Sequence, residues 1–397
     1  MKIVVENNEF EEKYKDIKGF KIKRFCEIFN DCPHVGAIKT PYTLCEEMLA
    51  QLPDLNDKSI LILFNPEFYA TIINKYPWAN ITFLTGSKHA ASMKFRGAGT
   101  YYMNPFEDVD SLEGNVKFDV VIGNPPYQAP KNRKGDAKNG TCGSVLWKDF
   151  LMKSIELCKD DGFISLIHPG QWRKPDSKLL ETIKSLNLKY LEIHNLDDGM
   201  KVFKAATGFD WYVIAKQKYG GKTKIKGADG IINEEDISEI NFIPNSDFDM
   251  LRKLIAKKEE EKCNIIFNRT NYGTDKAWIS KTQDDIFKYP CVYGLTQRDG
   301  LKLFYSSKND SGHFGIKKII IPISKYTDAF IDDEGKYGLC QFAFGIRIDS
   351  EEEGENIKKA ITSDEFKKVW QAIEWIYNSK EWRVFKSFRK DFWKDFI

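Results

Sequence analysis

Nowhere in this 397-residue chain does an apolar run approach the roughly 18 residues that suggest a membrane-spanning helix. The opening stretch MKIVVENNEFEEKYKD is acidic and lacks an apolar core with a small-residue cleavage site, so it does not read as a secretory signal. A cytoplasmic chain without a membrane partner is the expectation. No two of the eight cysteines form a C-x-x-C pair or a zinc-like Cys/His spacing, so reduced thiols are expected rather than a disulfide framework. His34, His89, His168, His194 and His313 are too scattered for a ligand set, and no metal is expected; His168 stands apart because it precedes Pro169 at the end of a strand. Net charge is scarce too, at +2, which argues neither for nor against nucleic acid because a local basic face can hide in a balanced total. What is present, 42% hydrophobic and 30% charged residues, is ordinary globular composition, in a length that admits two domains.

The first half alternates strands with helices. TPYTLCEEMLAQL starts a helix, with Thr40 as cap and Pro41 at its first position. Ile60–Phe64 reads as a strand, and Pro66–Lys75 as the helix after it. NITFLTG and YYMNPFED give two further strands, FDVVIGNPPY a fourth, WKDFLMKSIELCKDDG a helix ended by its glycine, and FISLIHP a fifth strand. Such alternation implies a parallel, doubly wound sheet with ligands beyond the carboxyl ends of its strands. KYGGKTKIKGADGIINEED then reads as a hinge-like region. Beyond it, shorter apolar runs and turn dipeptides suggest a second domain of mixed strands and helices, with helices from about Glu352. The expected division is 1–222 and 223–397.

The densest chemistry lies in KFDVVIGNPPYQAP. Phe118, Val120, Val121 and Ile122 suit a strand buried on both faces, and Pro125 and Pro126 then stop it, because neither has an N–H and both fix φ. The corner is stiff and rich in free carbonyls. An exocyclic aromatic amine is a poor nucleophile, since its lone pair is delocalised into the ring. Acceptors around its two N–H bonds favour a more tetrahedral nitrogen. The Asn124 side-chain oxygen and the Pro125 carbonyl can be those acceptors, held rigid by Pro125 and Pro126. Tyr127 adds an aromatic face for a base to stack on, a contact of about 1–3 kcal/mol.

With FDVVIGNPPYQ as anchor, the chain resembles the N6-adenine DNA methyltransferases with an Asn-Pro-Pro-Tyr motif, of the restriction-modification methylase type. GAIKTP, Gly36–Pro41, is similar to the family's first cofactor-contacting motif, and GFISLIHPGQW to the strand and loop after the catalytic helix. VFKAATGFDWYVIAKQ resembles the late motif whose aromatic residue sandwiches the flipped base against Tyr127; Phe203 is the first choice and Phe209 the second. The resemblance implies an α/β fold, a doubly wound, mostly parallel Rossmann-like methyltransferase sheet with a second α+β target-recognition domain. It further implies S-adenosylmethionine as donor, double-stranded DNA as partner, and a flipped adenine as acceptor, since the amine is otherwise engaged in pairing. Thr40, Pro41, Asn65, Pro66, Asn104 and Asp108 are the cofactor contacts it suggests.

The family's Gly-rich turn after the first strand has no counterpart. No glycine stands between Lys58 and Gly86, as though the middle of the turn were deleted between Asn65-Pro66 and Phe68. The second strand lacks the expected acidic residue; Thr85 or Ser87 stands nearest. In one reading the remaining contacts bind the donor. In another the chain is a catalytically silent DNA-binding subunit, or one completed by a partner subunit or a second copy. Methylation of RNA or of a protein glutamine is a third reading. The basic loop after the motif offers Lys131, Arg133, Lys134 and Lys138 to phosphates, or is a solvated loop. In SKEWRVFKSFRKDFWKDFI, aromatics at helical spacing read as a core-facing stripe.

Overall fold

A computed structural model describes residues 39–85, 98–102 (backbone only), 117–128, 145–205, 207–298, 300–325, 328–376 and 379–397. The described residues fall into two compact units. The first runs through Trp172 and again from Ser177 to Ile240; the second comprises Arg173–Asp176 and Asn241–Ile397.

The first unit is built on a nine-stranded sheet of order β3-β2-β1-β4-β5-β7-β6-β8-β9. Its strands are β1 (Ser59–Leu63), β2 (Asn80–Thr85), β3 (Ala98–Tyr102), β4 (Phe118–Gly123), β5 (Cys158–Pro169), β6 (Asn187–His194), β7 (Phe209–Ala215), β8 (Lys222–Lys226) and β9 (Ile232–Asp236). The helices are α1 (Tyr42–Ala50), α2 (Pro66–Lys75), α3 (Trp147–Leu157), α4 (Lys178–Lys184) and α5 (Leu196–Phe203). Strands β3 through β5 are mutually parallel, and β7 enters antiparallel between β5 and β6. This is a doubly wound, mostly parallel α/β sheet of Rossmann-like kind. The central strands read as continuous apolar runs because both faces are covered. Ile60, Ile62, Val120 and Ile122 pack with Met48 and Leu49 of α1 and Phe68 and Ile72 of α2 in one core.

Three local readings change. The helix starting at Trp147 ends at Leu157, not at Gly162, because Cys158 already pairs with Phe118 and opens β5. Thr40 does not cap α1: the cap position is Pro41, without a side-chain hydrogen bond, and the Thr40 hydroxyl is used elsewhere. The hinge-like stretch is a hairpin. β8 pairs in parallel with β6 and antiparallel with β9, so the first unit extends to Ile240 and not to 222. β9 is an edge strand of acidic residues, which discourages pairing with another chain.

The second unit holds two four-stranded sheets, one centred on Lys318–Pro322 and Ala343–Arg347, the other on Tyr289–Thr296 and Gly300–Ser306. Helices Glu351–Thr362 and Asp364–Ala372 follow as expected. The C-terminal aromatics face the core: Phe385, Phe388 and Phe392 are buried with Phe366 and Trp370, on 3₁₀ turns rather than an α-helix.

Candidate active site

The carboxyl ends of β1 and β4 lie side by side, Leu63 against Gly123. Each strand ends in an asparagine one or two residues on, and the two asparagines meet. The Asn124 N–H donates to Asn65 Oδ1 at 2.6 Å. Thr40 Oγ1 accepts from Asn65 Nδ2 at 3.3 Å and from Asn124 Nδ2 at 3.4 Å. All three residues are at most 2% exposed. Both amide nitrogens are therefore turned toward Thr40, which leaves Asn124 Oδ1 as the outward acceptor. Among the described residues, none donates to Asn124 Oδ1 or to the Pro125 carbonyl. The two acceptors read from the sequence are thus unengaged.

Two backbone features make the meeting possible. Phe64, between β1 and Asn65, has φ 64° although it is bulky and buried, a conformation of the kind that concentrates at functional sites. One left-handed residue turns the chain from strand to helix where the family resemblance led us to expect several glycines. Phe64 is held by its N–H on the Leu84 carbonyl and by its ring edge against Phe150. Across from it, a Cβ on Gly123 would lie 2.6 Å from the Leu63 oxygen. Only glycine lets β4 come this close.

Pro125 and Pro126 are buried and Tyr127 is half-buried. The Tyr127 carbonyl accepts the Leu146 N–H just before α3, and Gln128 bridges to Val145, so the motif is tied to the start of the next helix. The Tyr127 hydroxyl is buried without a partner. Burial and the nearby Asp210 charge push its pKa well above the usual phenol value. Asp210 pairs across the sheet with His168, whose Nε2 lies 2.5 Å from the Tyr212 hydroxyl and whose ring stacks on Trp147 at 4.8 Å. His168 is thus a buried brace between β5, β7 and α3.

Beside Asn65, in the first turn of α2, Glu67 is 4% exposed. The N–H groups of Thr40 and of Glu67 itself favour the charged form of its carboxylate, while Oε2 has no hydrogen-bond partner. Desolvation raises its pKa to about 7, against the pull of those N–H groups and of the Lys39 charge.

Thr40, Pro41, Asn65, Pro66 and the Asn124–Tyr127 motif are therefore gathered at one sheet edge. Phe203 ends α5 and packs edge-on to Phe209 at 4.7 Å, and Phe209 is stacked under His194 at 4.3 Å. No described ring contact joins either of them to Tyr127. Asn104, Asp108, Lys131, Arg133, Lys134 and Lys138, like Ser87, lie outside the described residues. Sequence reading passed over Glu67 and Asp210. The available signal was an acid inside otherwise apolar segments, NPEFYA and FDWYVIA.

Residues 65–203 match the family model of the Eco57I restriction-modification methylase. An uncharacterized adenine-specific methylase of Mycoplasma pneumoniae is 29% identical over 117 residues, 28% of this chain and 26% of that protein. Modification methylase CviBIII of Paramecium bursaria Chlorella virus NC1A is 25% identical over 281 residues, 62% of this chain and 74% of that protein. The type IIG restriction endonuclease BpuSI covers 91% of this chain, and the chain covers 61% of it, at 11% identity and a TM-score of 0.42, a likeness too loose to carry weight. The chain spans about a quarter of the first relative and about three quarters of the second. The segment from Asn65 to Phe203 is thus similar to the Eco57I restriction-modification methylases, the kind of enzyme that its Asn-Pro-Pro-Tyr motif resembles.

Proposed function

We propose that this chain transfers a methyl group from S-adenosylmethionine to the N6 amine of an adenine turned out of double-stranded DNA, at specific sites. The observation that carries the reading is the pair of unengaged acceptors, Asn124 Oδ1 and the Pro125 carbonyl, beside the half-buried ring of Tyr127. An adenine stacked on Tyr127 presents two N–H bonds, and each finds one acceptor. As the nitrogen pyramidalises and gains positive charge, acceptors already fixed by Thr40 and by the prolines need not reorganise. Turning the base out is required because a paired amine is not accessible.

The donor fits what the edge offers. Thr40 and Asn65 supply polar atoms against Asn124, and Glu67 adds a buried carboxylate in the first turn of α2. When bound, the donor supplies an electrophilic methyl group. Thr40, Pro41, Asn65 and Pro66 would hold it, with Asn104 and Asp108 toward its adenine. Phe203 would close on the far face of the target base, Lys131, Arg133, Lys134 and Lys138 would meet phosphates, and the unit from Asn241 would read the target sequence. A partner subunit or second copy would complete the assembly.

The test is transfer of labelled methyl to unmethylated DNA followed by nucleoside analysis. Label in N6-methyldeoxyadenosine supports the reading. Label confined to RNA or protein, or no transfer to any DNA, overturns it.

A further inference from the structure

We infer that Glu67 is the receptor for the α-ammonium of the methyl donor. This rests on the donor reading above and adds a residue to it.

The first observation is an orphan. Glu67 Oε2 is buried with no hydrogen-bond partner, although a buried polar atom normally has one. The second is position. Glu67 and Asn124 both neighbour Thr40: the Thr40 N–H favours the charged form of Glu67, and the Thr40 hydroxyl accepts from the Asn124 and Asn65 amides. Glu67 stands two residues after Asn65, in the first turn of α2, at the carboxyl edge where ligands of such sheets bind. The third is what the chain omits. With one left-handed residue, Phe64, in place of a longer turn, few backbone N–H groups are left there to contact the amino-acid end of a ligand. A carboxylate suits the cationic part of that end.

The titratable groups that face Glu67 are few among the described residues. Lys39, just before α1, favours its charged form. Cys45, on α1, has a thiol pushed well above its usual value by burial and by Glu67 itself, with Glu46 adding to the effect, so Cys45 stays neutral. Without ligand, Glu67 takes up a proton as pH falls through about 7. A bound ammonium favours the carboxylate and expels that proton.

The experiment is calorimetric titration of the full chain between pH 5.5 and 7.5, in buffers of differing ionisation enthalpy. The ligands are S-adenosylmethionine, S-adenosylhomocysteine and 5′-methylthioadenosine. The first two carry the ammonium, the second lacks the sulfonium, and the third lacks the whole amino-acid end. Expected are a Kd for the first two that tightens by about 25-fold from pH 5.5 to 7.5, given a pKa of about 7, and release of close to one proton at the acid end. Methylthioadenosine should bind without either effect. Glu67→Gln should flatten the pH dependence, weaken both amino-acid ligands by roughly tenfold or more at pH 7.5, and leave methylthioadenosine unchanged, which also reports an intact fold. Wild-type binding that is flat with pH and releases no proton overturns the role of Glu67 while the donor reading stands. A pH dependence seen with S-adenosylmethionine alone assigns the carboxylate to the sulfonium and overturns the ammonium assignment. No binding of any of the three ligands removes the donor reading, and this inference with it.

Discussion

The side-chain oxygen of Asn65 accepts the backbone N–H of Asn124 at 2.6 Å, so the residue that ends β1 holds the residue that ends β4 by its main chain. Replacing Asn65 by Leu leaves a buried N–H without a partner and removes one of the two amides on Thr40. A stability loss of about 1–3 kcal/mol is expected in urea denaturation, together with weaker donor binding by calorimetry. Asn65→Asp keeps the acceptor and should lose less stability. If Asn65→Leu is as stable as the wild type, the bond is not structural.

Asn124→Ala separates chemistry from structure, because the bond to Asn65 uses the backbone and survives the change. Methyl transfer should fall by at least about 10²–10³-fold, as when a preorganised group at a developing charge is removed, while the thermal midpoint stays within a few degrees. Full activity in this variant would sink the proposed role of its amide oxygen.

What the sequence disclosed, and what it hid, follows from how local each feature is. Asn124-Pro125-Pro126-Tyr127 after a buried apolar run is a local signal, and the strand before it lies where the run predicts. The alternation of elements likewise gave the parallel sheet. The turn at Phe64 was hidden, because nothing about a phenylalanine announces φ 64°; neighbouring packing enforces it. Thr40 read as a helix cap because its local context is that of one, yet its partners are 25 and 84 residues away. The start of β5 at Cys158 and the hairpin of β8 and β9 depend on pairing with distant strands. Glycines at 220, 221, 227 and 230 looked like a hinge when they serve the entry and the turn of that hairpin.

Gly123→Ala tests the close approach of β1 and β4. The added Cβ would lie 2.6 Å from the Leu63 oxygen and 2.8 Å from the Leu63 Cβ. Backbone must shift, and Asn124 is the next residue. Stability should drop by about 1–3 kcal/mol, as for other overpacked cores, and transfer should drop with it. An alanine variant with unchanged melting and activity would show that the strands have room to part.

Asp119 makes an acid-pH prediction. It is partly desolvated, which by itself raises its pKa, but Ser59 through its hydroxyl and N–H, and Lys159 at 2.9 Å, outweigh that and hold it down to about 2. A carboxylate depressed in the folded state stabilises at pH above its unfolded value near 3.9, and that contribution is lost as pH falls through about 2. Lys159→Met should therefore move the acid-unfolding midpoint upward, with a smaller change in melting at pH 1.5, where the carboxyl is largely protonated in both states. An unmoved acid midpoint would mean that Ser59 alone sets the value.

The second unit contains a buried ion pair whose removal has a definite sign. Lys318 Nζ lies 2.5 Å from Asp332 Oδ2 and also donates to the His313 and Ile316 carbonyls, with both side chains at most 2% exposed. Asp332 in turn accepts the N–H groups of Lys336 and Tyr337, so each charge organises a turn as well as its partner. Desolvation lowers the Lys318 pKa and Asp332 counters it. Lys318→Met strands a buried carboxylate and should cost about 3–5 kcal/mol. Adding Asp332→Leu removes the stranded charge and should return part of that loss, though not all of it, since the Lys336 and Tyr337 N–H groups then lose their acceptor. Denaturant titration of the two single variants and the double variant gives the coupling directly. Purely additive losses would mean that the pair acts as two separate hydrogen-bonding groups rather than as an ion pair.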